Sequence, residues 1–169
     1  MAHEESLHNL LGDMSLKTIL AIGLSDDSVG RQLIDDYLTQ HNTCTAEHIG
    51  AKDILERLDG LGRYDLVIVS QTIELMSRLD ATHLISKLRD IHSQRLVLFV
   101  PIGDGWPNFV SQWQKRDLLS FGLIQLNDYE GVAGPIHIYG YDILTYKTCP
   151  DWLNSRFWAT PNLFGKHWW

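Results

Sequence analysis

Hydrophobic and polar residues alternate along the chain in the order that an α/β protein requires. The clearest unit is 64–101, where the apolar runs YDLVIVS and RLVLFVP flank a segment with helical spacing. Asp80 is placed to cap that helix, which is predicted over 81–92. Its buried face is predicted to carry five apolar residues, Ala81, Leu84, Ile85, Leu88 and Ile91. A strand, a helix and a strand in this order predict two parallel strands with a right-handed crossover.

The same alternation continues through the rest of the chain. Strands are predicted over 17–23, 42–49, 123–129 and 136–146, and helices over 29–40, 51–61 and 109–119, with a helical turn over 72–79. Asp26, Asp27 or Ser28 can cap the first helix. In the helix over 109–119, Phe109, Val110, Trp113 and Leu118 are expected to face inward. The pattern predicts a three-layer α/β/α sandwich, a mostly parallel sheet of about six strands with a C-terminal antiparallel hairpin.

Both ends of the chain are interpreted as additions to one domain that covers residues 1–169. Leu7, Leu10 and Leu11 predict a helical extension over 1–16 that docks on the body. The segment 149–169 contains four of the six tryptophans. This aromatic tail is expected to pack on the body, and the alternatives are a lid over a ligand site or a contact with a partner or a second copy of the chain.

Composition narrows the classes of partner. The chain has 169 residues and a net charge of −7, and its 14 Lys and Arg residues are scattered, which argues against nucleic acid as a partner. No apolar run approaches the length of a membrane span, and the N-terminus has no secretory pattern. Two cysteines do not make a disulfide framework. A cytoplasmic protein that binds a small molecule or a protein is therefore expected.

Three sequence segments carry a resemblance to a known family. YDLVIVSQTIELM, LISKLRDIHSQRLVLFVPI and WQKRDLLSFGLIQL resemble the fourth strand, the fifth strand with its preceding helix, and the sixth strand of class I S-adenosylmethionine-dependent methyltransferases. The resemblance covers residues 18–146. It implies a Rossmann-like sheet with a terminal hairpin, and it implies S-adenosylmethionine as the cofactor.

The chain departs from that family where the cofactor would bind. The family's loop has an acidic residue followed by three alternating glycines, whereas here Ala21 stands at the acidic position and only Gly23 of the glycines is present. Ser25 and Asp27 occupy the other two positions, and their side chains narrow the approach of a cofactor to the backbone. One edge strand is expected to be missing. The segment 70–73 lacks the motif of enzymes that methylate base amino groups.

Ligands of such sheets bind at the carboxyl ends of the strands, where the strand order reverses. The residues expected to line this crevice are Gly23, Leu24, Ser25, Asp26, Ser70 and Gln71, with Asp104 within reach. The alternative interpretation is a capped loop with ordinary polar strand ends. The resemblance implies that Glu47 would hold a ribose diol, and the alternative is a solvated carboxylate at the sheet edge. Asp26 and Asp27 would repel phosphate, which argues against NAD and FAD.

No metal site is expected, because Cys44, His48 and His41 form a loose set without a second matching pair. His83 and His92 are expected to be solvated. Three functions remain open. The first is a non-catalytic binding or regulatory module with a degenerate cofactor loop. The second is an active S-adenosylmethionine-dependent small-molecule methyltransferase. The third is an interaction protein that uses its aromatic tail, for instance to form a homodimer.

Overall fold

The structure is a computed structural model that describes residues 15–26, 28–131, 134–145, 156, 158–163 and 166. The strands are β1 (Thr18–Ile22), β2 (Thr45–Ile49), β3 (Tyr64–Val69), β4 (Ser93–Pro101), β5 (Ile124–Gly131) and β6 (Gly134–Asp142). They form one sheet in the order β2-β1-β3-β4-β6-β5. The first four strands are parallel, and β6 is antiparallel to both β4 and β5. The predicted α/β class, the mostly parallel sheet and the C-terminal hairpin are confirmed.

Helices cover both faces of the sheet. They are α1 (Val29–Gln40), α2 (Ile54–Leu58), α3 (Arg78–Lys87) and α4 (Lys115–Ser120). Ile34 and Tyr37 of α1 pack into the apolar cluster on one face. The cluster on the other face contains buried residues of α2, α3 and α4 and the side chain of Trp113. Within the described residues, no helix is both long enough and apolar enough to cross a membrane.

The order of the strands places a crevice between β1 and β3. From β1 the chain crosses to β2 on one side, and β3 then pairs with β1 on the other side. The carboxyl ends of these parallel strands therefore meet where the strand order reverses, which is the usual ligand site of open α/β sheets. The loops that follow β1, β3 and β4 all leave the sheet at this edge.

The helix predicted over 81–92 starts earlier and changes its geometry. Ser77 caps α3, because its hydroxyl accepts a hydrogen bond from the N–H of Asp80 at 3.1 Å. The expectation that Asp80 is the cap is wrong. After Lys87 the chain forms a π-helical turn (Leu88–His92). This wider turn breaks the 3.6-residue period, so Ile91 is 57% exposed and His92 is buried, opposite to the expectation for both.

The segment predicted as a helix over 109–119 is helical only in α4. Residues 103–114 form an irregular loop in which the rings of Trp106 and Phe109 stack at a centroid distance of 5.2 Å. Trp113 and Leu118 face the core as predicted, but Val110 is 69% exposed. Ile102 and Trp113 form a parallel bridge, which keeps the end of this loop alongside the sheet. A continuous helix would not allow this pairing.

Three further boundaries differ from the predictions. Helix α2 has five residues, fewer than predicted over 51–61. The hairpin strands extend further towards their turn, to Gly131 and Gly134, and β6 ends at Asp142. The extension over 1–16 lies outside the described residues except for its last two, and Leu16 is buried there. Most of the tail over 149–169 also lies outside them, so its packing stays a prediction.

Candidate functional site

Gly23 lies directly after β1 and touches the loop that follows β3. Its N–H donates a hydrogen bond to the carbonyl of Ile49 at 2.9 Å, and its φ is +69°. A Cβ atom at this position would lie 2.2 Å from the carbonyl oxygen of Ser70 and 2.2 Å from the hydroxyl oxygen of Thr72. The loop after β3 therefore fills the space beside the one glycine that remains in the β1 loop.

The backbone of the β3 loop is fixed in this position by its own hydrogen bonds. The N–H of Ser70 donates to the carbonyl of Ile22 at 3.0 Å. The hydroxyl of Thr72 donates to the carbonyl of Ser70 at 2.7 Å, and Thr72 is fully buried. Gln71 is exposed and has a φ of +46°, a backbone conformation that is uncommon without glycine. The structure thus brings Gly23, Ser70 and Gln71 together.

Glu74 is a buried carboxyl group at the same edge of the sheet, and it is not among the site residues predicted from the sequence. Its side chain accepts a hydrogen bond from the N–H of Thr72 at 3.2 Å. Burial raises the pKa of Glu74, and the backbone amide hydrogen bonds lower it less than burial raises it. No cation of the described chain forms an ion pair with this carboxylate. The sequence signal that marks it is a carboxylate between two apolar residues, Ile73 and Leu75, in the segment that follows a buried strand.

The backbone of Glu74 also ties two loops together. Its carbonyl accepts hydrogen bonds from the N–H groups of Val110 at 2.9 Å and Ser111 at 3.2 Å. The hydroxyl of Ser111 donates to the carbonyl of Ile73 at 2.8 Å. The loops after β3 and β4 therefore form one connected structure above the carboxyl ends of the strands.

We expect Glu74→Gln to stabilise the protein at neutral pH. The pKa of Glu74 is higher in the folded state than in the unfolded state. The stability contributed by protonated Glu74 is therefore complete below about pH 4.3, the unfolded value, and is lost as the pH rises through the folded pKa. A neutral amide avoids this loss and keeps the acceptor for the Thr72 N–H. The free energy of unfolding should rise by about 1 kcal/mol at pH 7 and change little at pH 4.

The measurement is urea denaturation of both proteins across pH 4–8. Glu56→Gln is the matched control for replacing a carboxylate with an amide, because Glu56 is exposed. Equal pH dependence in the wild type and Glu74→Gln would contradict the argument.

The β1 loop leads into α1 through Ser28. The hydroxyl of Ser28 accepts a hydrogen bond from the N–H of Arg31 at 3.2 Å, so Ser28 is the cap. The carbonyl of Ser25 accepts hydrogen bonds from the N–H and the hydroxyl of Ser28 at 3.0 and 2.7 Å. Asp26 is exposed and does not cap α1, and Asp27 lies outside the described residues.

Glu47 and Asp104 do not join Gly23. Glu47 pairs with Leu20 in the sheet, two positions before the last pair of β1 and β2. Its carboxylate accepts a hydrogen bond at 2.6 Å from the hydroxyl of Tyr64, the first residue of β3. Burial, followed by this hydrogen bond, raises the pKa of Tyr64 to about 12. Asp104 accepts a hydrogen bond from the side chain of Gln114 at 2.7 Å instead.

A cavity of about 510 Å³ opens beside Thr72, between α2 and the start of α3. It is lined by residues 51–56 together with Thr72, Leu75, Met76 and Asp80. Its volume lies in the range of small-molecule pockets. The lining contains none of the predicted cofactor residues, which are Gly23, Ser25, Asp26, Glu47, Ser70 and Gln71. Across the described parts of the chain, no group of three or more His, Cys, Asp or Glu side chains is arranged to hold a metal ion.

Comparison with protein families places the whole chain, residues 1–169, in one family, described as "Family of unknown function (DUF6231)". The chain belongs to DUF6231. No curated protein matches this DUF6231 sequence.

Solved structures share the fold of this DUF6231 chain. The N-terminal domain of EvdMO1, solved with SAH bound, is 10% identical with a TM-score of 0.54, over 83% of this chain and 79% of that one. An O-methyltransferase family protein from Burkholderia thailandensis is 10% identical with a TM-score of 0.51, over 83% and 56%. Mitomycin 7-O-methyltransferase MmcR is 12% identical with a TM-score of 0.50, over 82% and 53%. The chain therefore spans about half the length of the last two, and it has a class I methyltransferase-like fold.

Proposed function

We propose that the protein is a methyltransferase-like module that does not transfer methyl groups and acts through binding. The observation that carries this proposal is the contact of Gly23 with the carbonyl oxygen of Ser70 and the hydroxyl of Thr72. A cofactor that used the predicted site would have to approach the backbone at this glycine. That approach is filled by the protein's own loop, and the loop is held by buried hydrogen bonds.

Methyl transfer depends on holding the donor in line with the acceptor at close range. Ser25 and Asp26 remain beside Gly23 but are exposed, and Glu47 is bonded to Tyr64 at 2.6 Å, away from Gly23. Of the residues that the sequence predicts to hold S-adenosylmethionine, Gly23, Ser25, Asp26, Ser70 and Gln71 belong to the loops after β1 and β3, and Glu47 does not. This incomplete set supports a function other than catalysis.

A second candidate function is S-adenosylmethionine-dependent methylation of a small molecule. The observation that favours it is the cavity of about 510 Å³ between α2 and α3, which is large enough for a nucleoside-sized ligand. In this alternative the cofactor would bind beside Thr72 and Leu75, among residues that do not include Gly23. The two functions therefore predict different residues for any S-adenosylmethionine site.

Isothermal titration with S-adenosylmethionine and S-adenosylhomocysteine separates the two functions when two matched variants are compared. Ser25→Trp places a large side chain on the exposed β1 loop, and Leu75→Trp places one at the cavity. For the proposed module, we expect no micromolar binding that depends on Ser25. Micromolar binding that is lost in Ser25→Trp and kept in Leu75→Trp would overturn the proposal. The reverse pattern would favour the second candidate.

A further inference from the structure

Three large apolar side chains are exposed on the segments that follow β3 and β4 at the carboxyl edge of the sheet. Leu75 is 52% exposed, Leu79 is 66% exposed and Val110 is 69% exposed. The N–H of Val110 bonds to the carbonyl of Glu74, so the backbone of Val110 lies next to that of the residue before Leu75. Contiguous apolar exposure on a folded protein marks an interaction site more often than single exposed residues do. We call these three residues the apolar surface.

Buried residues and a capped helix hold the apolar surface in place. Glu74 and Ser111, next to Leu75 and Val110, are 2% and 6% exposed, and the Ser111 hydroxyl bonds to the carbonyl of Ile73. Leu79 lies in the first turn of α3, which the Ser77 hydroxyl caps. The three side chains are therefore presented to solvent by elements that are anchored on both sides.

The surface continues into the cavity between α2 and α3, and the cavity carries negative charge. Leu75 is itself a lining residue, and so is Asp80, which follows Leu79. Its lining has three carboxylates, from Asp53, Glu56 and Asp80, and one cation, Lys52. An acidic border beside an apolar surface favours an occupant that is apolar on one side and cationic at its edge.

The neighbouring Arg78 does not neutralise this border, because its guanidinium is engaged elsewhere. It forms an ion pair with Asp117 at 2.6 Å and donates to the carbonyl of Gln112 at 2.6 Å. It also lies over the ring of Trp113, 4.5 Å from the centroid. Arg78 therefore faces the β4 loop and α4.

We propose that the apolar surface and the adjoining cavity dock an amphipathic segment of a partner protein that carries apolar side chains and Lys or Arg. The inference rests on the proposed non-catalytic function and names the kind of partner through which the module acts. A groove that accepts an apolar helix face, bordered by charges of the opposite sign, is a recurring mode of recognition. A second copy of this chain fits less well, because two acidic borders would face each other.

The test uses the full chain and a fluorescein-labelled synthetic peptide of 18 residues with a leucine face and a lysine face. Binding is measured by fluorescence anisotropy at low and physiological salt. Leu79→Asp and Leu144→Asp are compared, because these leucines are 66% and 71% exposed and each change adds one carboxylate. Added negative charge alone would strengthen binding of a cationic peptide in both variants.

We expect Leu79→Asp, and independently Val110→Asp, to weaken peptide binding at least tenfold, while Leu144→Asp binds as well as the wild type. Glu56→Lys should also weaken binding and reduce its salt dependence. Equal binding by Leu79→Asp and Leu144→Asp would overturn the proposal. A wild-type dimer in sedimentation that Leu79→Asp converts to a monomer would also overturn it and assign the surface to a second copy. Titration of the same samples with S-adenosylmethionine tests the proposed function separately.

Discussion

Replacing Gly23 with alanine should lower the free energy of unfolding by about 3 kcal/mol. A residue with a Cβ loses about 1–2 kcal/mol in the left-handed conformation that Gly23 adopts at φ +69°. The new methyl group would also meet the Ser70 carbonyl oxygen and the Thr72 hydroxyl at 2.2 Å, and such overpacking costs about 1–3 kcal/mol. The two loops would have to separate to relieve this contact.

Two other glycines serve to separate the conformational cost of Gly23→Ala from its overpacking cost. Gly122 has a φ of +76° and open space around a Cβ, so Gly122→Ala should cost only the conformational part, about 1 kcal/mol. Gly62 has open space and no positive φ, so Gly62→Ala should be neutral or slightly stabilising. Guanidinium denaturation measures all three. A loss in Gly23→Ala no larger than that in Gly122→Ala would show that the β3 loop does not press on Gly23.

Replacing Trp113 with alanine should lower the free energy of unfolding by about 4 kcal/mol, within the range for deleting a buried aromatic ring. Trp113 is 1% exposed, and its indole N–H donates to the hydroxyl of Ser111 at 3.1 Å. Its ring packs beside Phe121 and under the guanidinium of Arg78. The change removes the side chain that fixes the β4 loop on the core.

Trp106→Ala is the control for Trp113→Ala, because Trp106 lies in the same loop but is only half-buried. Its loss should be clearly smaller. Urea denaturation followed by far-ultraviolet circular dichroism measures both variants, and similar losses would contradict a core position for Trp113. Loss of peptide binding in Trp113→Ala would also be expected, because Val110 is carried by the same loop.

The sheet could be predicted because buried parallel strands show up as continuous apolar runs, as in Leu66–Val69 and the run from Leu96 to Val100. The helix before β4 could be predicted only up to Lys87. A π-helical turn rotates the residues after it away from the 3.6-residue period. Nothing in the spacing of Ile91 and His92 shows this change, so their exposure and burial are reversed.

The candidate site could be predicted only in part. Strand order and loop positions bring Gly23 near Ser70 and Gln71, and these follow from the pattern of strands. Gly23 and Thr72 are 49 positions apart in the sequence. The contact between Gly23 and the Thr72 hydroxyl depends on the paths of the two loops that carry them, and no local sequence signal encodes it. The bond between Glu47 and Tyr64 is likewise a contact between distant residues, and it turns Glu47 towards the amino end of β3.

The position of Glu47 in β2 also bears on the behaviour of the protein at high concentration. Among the described strands, β2 pairs only with β1, so its outer edge offers unpaired backbone groups to other molecules. A second molecule that added its own β2 in antiparallel register about Glu47 would set two carboxylates opposite each other, which is destabilising. The charge of Glu47 on this edge strand therefore protects the sheet against self-association.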